Sequence, residues 1–85
     1  MSKIRIYTTP FCPYCTRAKS LFARKGVEFE EIDVYTDATA RDEMLEKSGG
    51  ARTVPQIFIG ERHVGGFDEL HALDRAGELD ALLAG

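Results

Sequence analysis

The two cysteines of this chain, Cys12 and Cys15, stand three positions apart in the stretch TTPFCPYCTR, residues 8–17. Two thiols at that spacing can do three kinds of work. They can cycle between dithiol and disulfide, supply half of a four-ligand zinc site, or close a small structural loop. The zinc reading lacks partners: C-x-x-C supplies two ligands, and the only histidines, His63 and His71, offer no matching second pair. A structural disulfide across so short a loop would constrain the unfolded chain little. Two buried spectator thiols would rarely fall at this spacing on a helix start. The residues favour a redox pair, with no metal expected.

A redox dithiol needs one activated thiol and a second held within reach, so the flanking elements matter. KIRIYT, residues 3–8, alternates with Ile4 and Ile6 on one face, which predicts a strand. Pro10 and Pro13 mark a loop and then a helix start, since proline is tolerated in a first helical turn. From Tyr14 to Lys25 the pattern is helical, with Ala18, Leu21 and Phe22 at spacings of three and four and Gly26 as the C-terminal cap. C-x-x-C therefore lies where the first strand meets the first helix. There a cysteine sees unpaired backbone N–H groups and the positive end of the helix dipole. Both favour the thiolate, which is the nucleophile. Cys12, at the exposed edge, is assigned as nucleophile, and Cys15, one turn inside, as resolving thiol. Arg17 and Lys19 add positive charge nearby.

VEFEEIDV, 27–34, is strand-like, but its apolar phase slips between Phe29 and Ile32, which predicts a bulge or irregular pairing. A second helix follows, capped by Thr36 or Asp37, ended by Gly49-Gly50 and contributing Met44 and Leu45 to the interior. QIFI, 56–59, and RHV, 62–64, flank Gly60-Glu61, a two-residue loop suited to a type II′ hairpin. Gly65-Gly66 break that strand. Leu70, Leu73, Leu79, Leu82 and Leu83 mark one or two short C-terminal helices, with a break at Gly77. The order β-α-β-α-β-β-α predicts an α/β fold. A right-handed crossover joins the first two strands in parallel, and the hairpin completes a four-stranded mixed sheet flanked by helices.

Length and composition set the bounds. The chain's 85 residues are one domain's worth, residues 1–85, which demands a compact core. At 44% hydrophobic and 29% charged residues the composition is that of a globular protein rather than a disordered one. The net charge of −3 argues against a nucleic-acid surface. MSKIRIYTT lacks the apolar run of a signal peptide, and no stretch approaches the roughly 18 apolar residues of a membrane helix. A cytoplasmic location is expected, where thiols stay reduced and structural disulfides are rare.

With this element order and this dithiol, the chain resembles a glutaredoxin of the thioredoxin-fold superfamily. The small bacterial dithiol type called glutaredoxin 3 is the nearest likeness. The resemblance covers almost the whole chain and rests on CPYC at 12–15, RTVPQIFI at 52–59 and GGFDEL at 65–70. It implies a thioredoxin-like fold and a glutathione-dependent thiol–disulfide oxidoreductase that acts on disulfide-bonded or glutathionylated proteins. A monomer is the simplest expectation, and charge and hydropathy predict no nucleic-acid or membrane partner. The resemblance also implies a cis Val54–Pro55 bond facing the dithiol. By the same resemblance Thr53 and Val54 pair with the cysteinyl part of glutathione, while Gly66, Phe67, Asp68 and Glu69 receive its γ-glutamyl end and Tyr14 borders the groove. Many members carry lysine three residues before the first cysteine; here that position is Thr9. Arg52 and Gln56 match family positions that contact the glycine carboxylate, and an arginine fork suits that group.

Two rival functions follow from the same residues. A redoxin reduced by thioredoxin reductase would need no glutathione pocket, which GGFDE resembles. An iron–sulfur carrier sharing a cluster between two chains usually has glycine after its cysteine, where this chain has the bulkier, rigid Pro13.

Overall fold

Alternation in the first strand divides the interior into two layers, and the rest of the chain is arranged around that division. The computed structural model describes residues 3–84. Strand β1, Ile4–Thr8, is the hub: β2, Glu30–Asp33, lies parallel to it, and β3, Gln56–Ile59, lies antiparallel on its other side. Strand β4, Arg62–Gly65, pairs antiparallel with β3, giving the sheet order β2-β1-β3-β4. The four-stranded mixed sheet is the expected one.

One face of β1 carries Ile4 and Ile6. They pack with Ile57 and Ile59 against α1, Pro13–Arg24, α3, Phe67–Arg75, and α4, Leu79–Ala84, through Ala18, Leu21, Phe22, Leu70, Leu79 and Leu83. The other face carries Tyr7, which packs with Phe58 and Val34 against Ala40 and Met44 of α2, Ala38–Lys47. The final helix of the expected order is thus two, α3 and α4, with Gly77 at φ +76 between them.

Strand β2 is shorter than the 27–34 run, and the reason lies in the two layers. Val27 and Phe29 precede it and pack on the α1 side, whereas Ile32 and Val34 pack on the α2 side. The slip in apolar phase is the chain crossing the edge of the sheet before pairing begins. The register irregularity falls instead between β3 and β4, at Ile57 and Phe58.

The termini of the elements follow local chemistry. Asp37 caps α2 by accepting the Ala40 N–H at 3.1 Å. Helix α1 ends in a Schellman motif, with Gly26 N–H donating to Ala23 O and Val27 N–H to Phe22 O. In the hairpin Gly60 takes φ +62 and no described non-glycine residue has positive φ, the pattern of a II′ turn.

Candidate active site

Because β1 and β2 run parallel while β3 starts and β4 ends beside them, four connections meet at one end of the sheet. They are the loop after β1, the loop after β2, residues 53–55 before β3, and the turn from β4 into α3. The two thiols sit in the first of these.

Cys12 is the N-cap of α1, with Pro13 in the first helical position where no N–H is needed. Its sulfur does what a capping oxygen usually does: Sγ accepts the Cys15 N–H at 3.1 Å. The Cys12 S–H donates to the Val54 carbonyl at 3.7 Å, tying the nucleophile to the segment before β3. Cys12 is half-buried, and both cysteines are free thiols. Cys15, only 1% exposed, lies one turn further in. Burial pushes its thiol up to about 12, helped by its hydrogen bond to Cys12 and only partly offset by the Thr9 backbone. One thiol is reachable from solvent and its partner is kept protonated behind it, the asymmetry that nucleophile and resolving roles require.

Beside the dithiol is a cleft of about 190 Å³ lined by Tyr14, Thr53, Val54, Pro55, Gly66, Phe67, Asp68 and Glu69. The Val54–Pro55 peptide bond is cis. The turn that closes the cleft is tightly built. Gly66 is the N-cap of α3, and its N–H donates to Glu69 Oε1 at 2.8 Å. Gly65 has φ +114, and a Cβ there would lie 2.6 Å from the same oxygen, so the position demands glycine. Tyr14 tilts against Phe67 with ring centroids 6.2 Å apart, and the Arg17 guanidinium lies 5.3 Å from the Tyr14 ring centre. His71 also stacks on Phe67, at 5.6 Å.

Two expected site residues lie elsewhere. Gln56 is buried in β3, where its amide donates to Thr53 O and Oγ1 at 3.0 and 3.2 Å and its carbonyl faces His63 Nε2 at 2.6 Å. It braces the Thr53 segment from behind rather than lining the cleft. Arg52 is exposed just before Thr53 and outside the lining. Sequence reading passed over Phe11 and Tyr35, whose rings meet edge-on at 6.2 Å next to Cys12. The available signal was an aromatic set between Pro10 and Pro13, where a helix face cannot bury it. Among the described residues no group of three or more His, Cys, Asp or Glu side chains is arranged to hold a metal ion, and no helix is long and apolar enough to cross a membrane.

Comparisons with known proteins agree with this geometry. The family model described as Glutaredoxin matches residues 4–64. A Pseudomonas aeruginosa protein named Glutaredoxin is 58% identical over 84 residues, spanning 99% of each chain. Glutaredoxin 3 of Escherichia coli K12 is 52% identical, over 98% of this chain and 99% of its own. Among solved structures, the buckwheat glutaredoxin–glutathione complex superposes with a TM-score of 0.87 at 30% identity, covering 98% of this chain and 77% of that one. The solution structure of a Brucella melitensis glutaredoxin gives a TM-score of 0.83 at 58% identity, covering 98% and 89%. With a C-x-x-C dithiol at the start of α1 and this likeness along its length, the chain belongs to the glutaredoxin family of glutathione-dependent thiol–disulfide oxidoreductases.

Proposed function

We propose that Cys12 is the nucleophile, Cys15 the resolving thiol, and the cleft from Tyr14 to Glu69 the glutathione site. The whole chain then acts as one glutaredoxin domain, a cytoplasmic monomer that serves glutathionylated and disulfide-bonded proteins. The observation that carries this reading is the cleft itself, which opens beside Cys12 and combines a backbone edge at Val54 with an acidic helix start at Asp68 and Glu69.

The chemistry balances in two routes. With a glutathionylated protein, the Cys12 thiolate attacks the glutathione sulfur. The Cys12–glutathione bond forms, the original S–S bond breaks, and the protein leaves as thiolate. A second glutathione thiolate then displaces Cys12 and yields oxidised glutathione. With a protein disulfide, Cys12 forms a mixed disulfide with one protein sulfur. Cys15 loses its proton and displaces that sulfur, closing Cys12–Cys15, and two glutathiones reopen the pair.

The hydrogen bond from Cys12 to Val54 gives this cycle a simple gate. As a thiol, Cys12 occupies the Val54 carbonyl; as a thiolate or disulfide it has no proton to donate. The carbonyl is then free to accept an N–H from the cysteinyl residue of glutathione. At the far end, Glu69 spends one oxygen on Gly66 N–H, leaving its other oxygen and Asp68 for the γ-glutamyl ammonium. Arg52, exposed just before Thr53, is assigned to the glycine carboxylate, while Gln56 serves by holding Thr53.

The test is hydroxyethyl-disulfide reduction with glutathione as the electron source. The wild type turns over, Cys12→Ser is inactive, and Cys15→Ser keeps the glutathione route. Activity in Cys12→Ser would overturn the assignment. A glutathione titration followed by backbone chemical shifts should centre on Thr53, Val54, Asp68 and Glu69.

A further inference from the structure

The large apolar side chains described as exposed are Phe11, 82% accessible, Tyr35, 66%, and Tyr14, 52%; Phe11 directly precedes Cys12, Tyr14 directly precedes Cys15, and Tyr35 meets Phe11. Tyr14 has a place in the cleft; Phe11 and Tyr35 do not line it. Single exposed aromatics are ordinary, but two in mutual contact beside a nucleophile form a patch. We propose that the Phe11–Tyr35 pair is the docking surface for the polypeptide half of a disulfide substrate. It selects segments in which the disulfide-bonded cysteine is flanked by an apolar and a basic residue. The inference rests on the proposed glutathione cleft, since it assigns the surface the cleft leaves open.

Topology separates the two surfaces. Strands β2 and β3 flank β1 on opposite sides. Tyr35 follows β2, whereas Thr53, Val54 and Pro55 precede β3. Cys12, at the end of the loop after β1, therefore has the cleft on one side and the aromatic pair on the other. When glutathione fills the cleft, the polypeptide half of the substrate cannot share it. Its flanking residues must rest on surface outside the cleft, and Phe11 and Tyr35 are the exposed aromatic side chains that the cleft leaves open.

The two surfaces also differ in charge. The cleft side mixes Asp68 and Glu69 with Arg17 beside Tyr14 and Arg52 just before Thr53. Around Tyr35 the exposed ionisable residues are Asp33 and Asp37, and no described cation pairs with either. Both Asp33 oxygens hold the loop in shape: Oδ1 accepts the Tyr35 N–H at 2.7 Å and Oδ2 the Thr36 hydroxyl at 3.1 Å. Lys19 is paired with Glu31 at 2.9 Å, and Arg41 stands one helical turn beyond Asp37 with no described carboxylate partner. Next to the patch a shallow opening of about 390 Å³ runs between Thr8, Thr9, Thr16, Glu31 and Asp33, with the Glu31-paired Lys19 also on its wall. An apolar side chain on the aromatic pair, with a lysine or arginine beside it reaching toward Asp33, satisfies both features.

The experiment compares two glutathionylated peptides of equal length, one with leucine and lysine flanking the cysteine and one with serine and glutamate. Turnover of each by wild type and by Phe11→Ala/Tyr35→Ser is measured with glutathione, and hydroxyethyl disulfide serves as the small substrate. The wild type should prefer the leucine–lysine peptide by about fivefold or more in kcat/KM, a modest share for two aromatic contacts. The double variant should lose that preference while its hydroxyethyl-disulfide rate stays within about twofold, as removal of binding confined to the peptide requires. Asp33→Asn should lose the part of the preference due to lysine alone. An unchanged peptide preference in the double variant would overturn the proposal. So would an equal fall on both substrate types, which would mean the pair acts on Cys12 itself. A wild-type dimer dissociated by the double variant would make the surface a self-interface and overturn it too. Failure of the wild type on hydroxyethyl disulfide would instead strike the reading of the cleft.

Discussion

The two thiols have the same side-chain chemistry and opposite environments. Cys12 receives a helix-start N–H and faces the cleft; Cys15 is enclosed and held at about 12, chiefly by burial. At neutral pH Cys15 is therefore a thiol, and iodoacetamide should modify Cys12 in the folded protein while Cys15 reacts only after unfolding, as mass mapping of the alkylated cysteines would show. Two of the influences that raise the Cys15 thiol come from Cys12, its hydrogen bond and its charge. Once Cys12 is locked in a mixed disulfide, both fall away. Cys15 then gives up its proton more readily, at the step where its thiolate is needed. Thiolate absorbance at 240 nm in Cys12→Ala should accordingly show Cys15 titrating below 12. The Gly65 position can be tested as directly. Gly65→Ala sets a Cβ against Glu69 Oε1 in a backbone region reserved for glycine. It should cost about 1–3 kcal/mol of stability in denaturant unfolding and weaken glutathione binding with it.

The helices are unequal partners of the sheet. Helix α1 buries Cys15, Ala18, Leu21 and Phe22, whereas α2 buries only Ala40 and Met44. Packing, more than propensity, holds short helices in place. Amide hydrogens of α2 should therefore exchange well before those of α1 in native-state exchange. The Asp37 cap carries a correspondingly large share of what fixes α2. Asp37→Ala should cost about 1 kcal/mol and lower Tm by roughly 4–8 °C, as seen by thermal unfolding. The active site should keep its activity in that variant at 25 °C, because the dithiol sits on α1 and the cleft is formed by Tyr14 of α1 and by residues at the start of β3 and the start of α3.

At the scale of the whole molecule, the apolar packing of the sheet on α2 is joined by a hydrogen bond from the Tyr7 hydroxyl to Glu43. Burial first, and then that bond, push the Tyr7 phenol from 10.0 up to about 12. The fold thus favours the protonated phenol. The stability it contributes is complete below pH 10, where folded and unfolded chains are both protonated, and is lost as pH climbs from 10 to 12. The same bond, reinforced by Lys47, holds the Glu43 carboxyl below its ordinary range, so its share is present above pH 4.5 and lost on acidification below it. A plot of Tm against pH should fall more steeply above pH 10 for wild type than for Tyr7→Phe. Parallel curves would mean that the phenol does not titrate with the fold.

Sequence by itself determined the features that repeat along the chain or sit within a few residues. The alternation of Ile4 and Ile6, the stripe of Ala18, Leu21 and Phe22, the caps at Asp37 and Gly26, and the two-residue turn at Gly60 all follow from local periodicity and backbone freedom. So does the position of C-x-x-C at a strand-to-helix junction, and with it the redox chemistry. Tertiary structure alone decided what stands across from what. It turned the phase slip after Phe29 into a crossing between two core layers, because which face a side chain takes depends on the sheet edge it passes. It drew Gln56 inward to brace Thr53, since a buried amide must find partners. It set Phe11 against Tyr35, residues 24 positions apart, on the rim opposite the cleft. Local sequence specifies which groups the chain carries. Long-range strand order specifies which of them face the same sulfur, and a reaction at Cys12 depends on both.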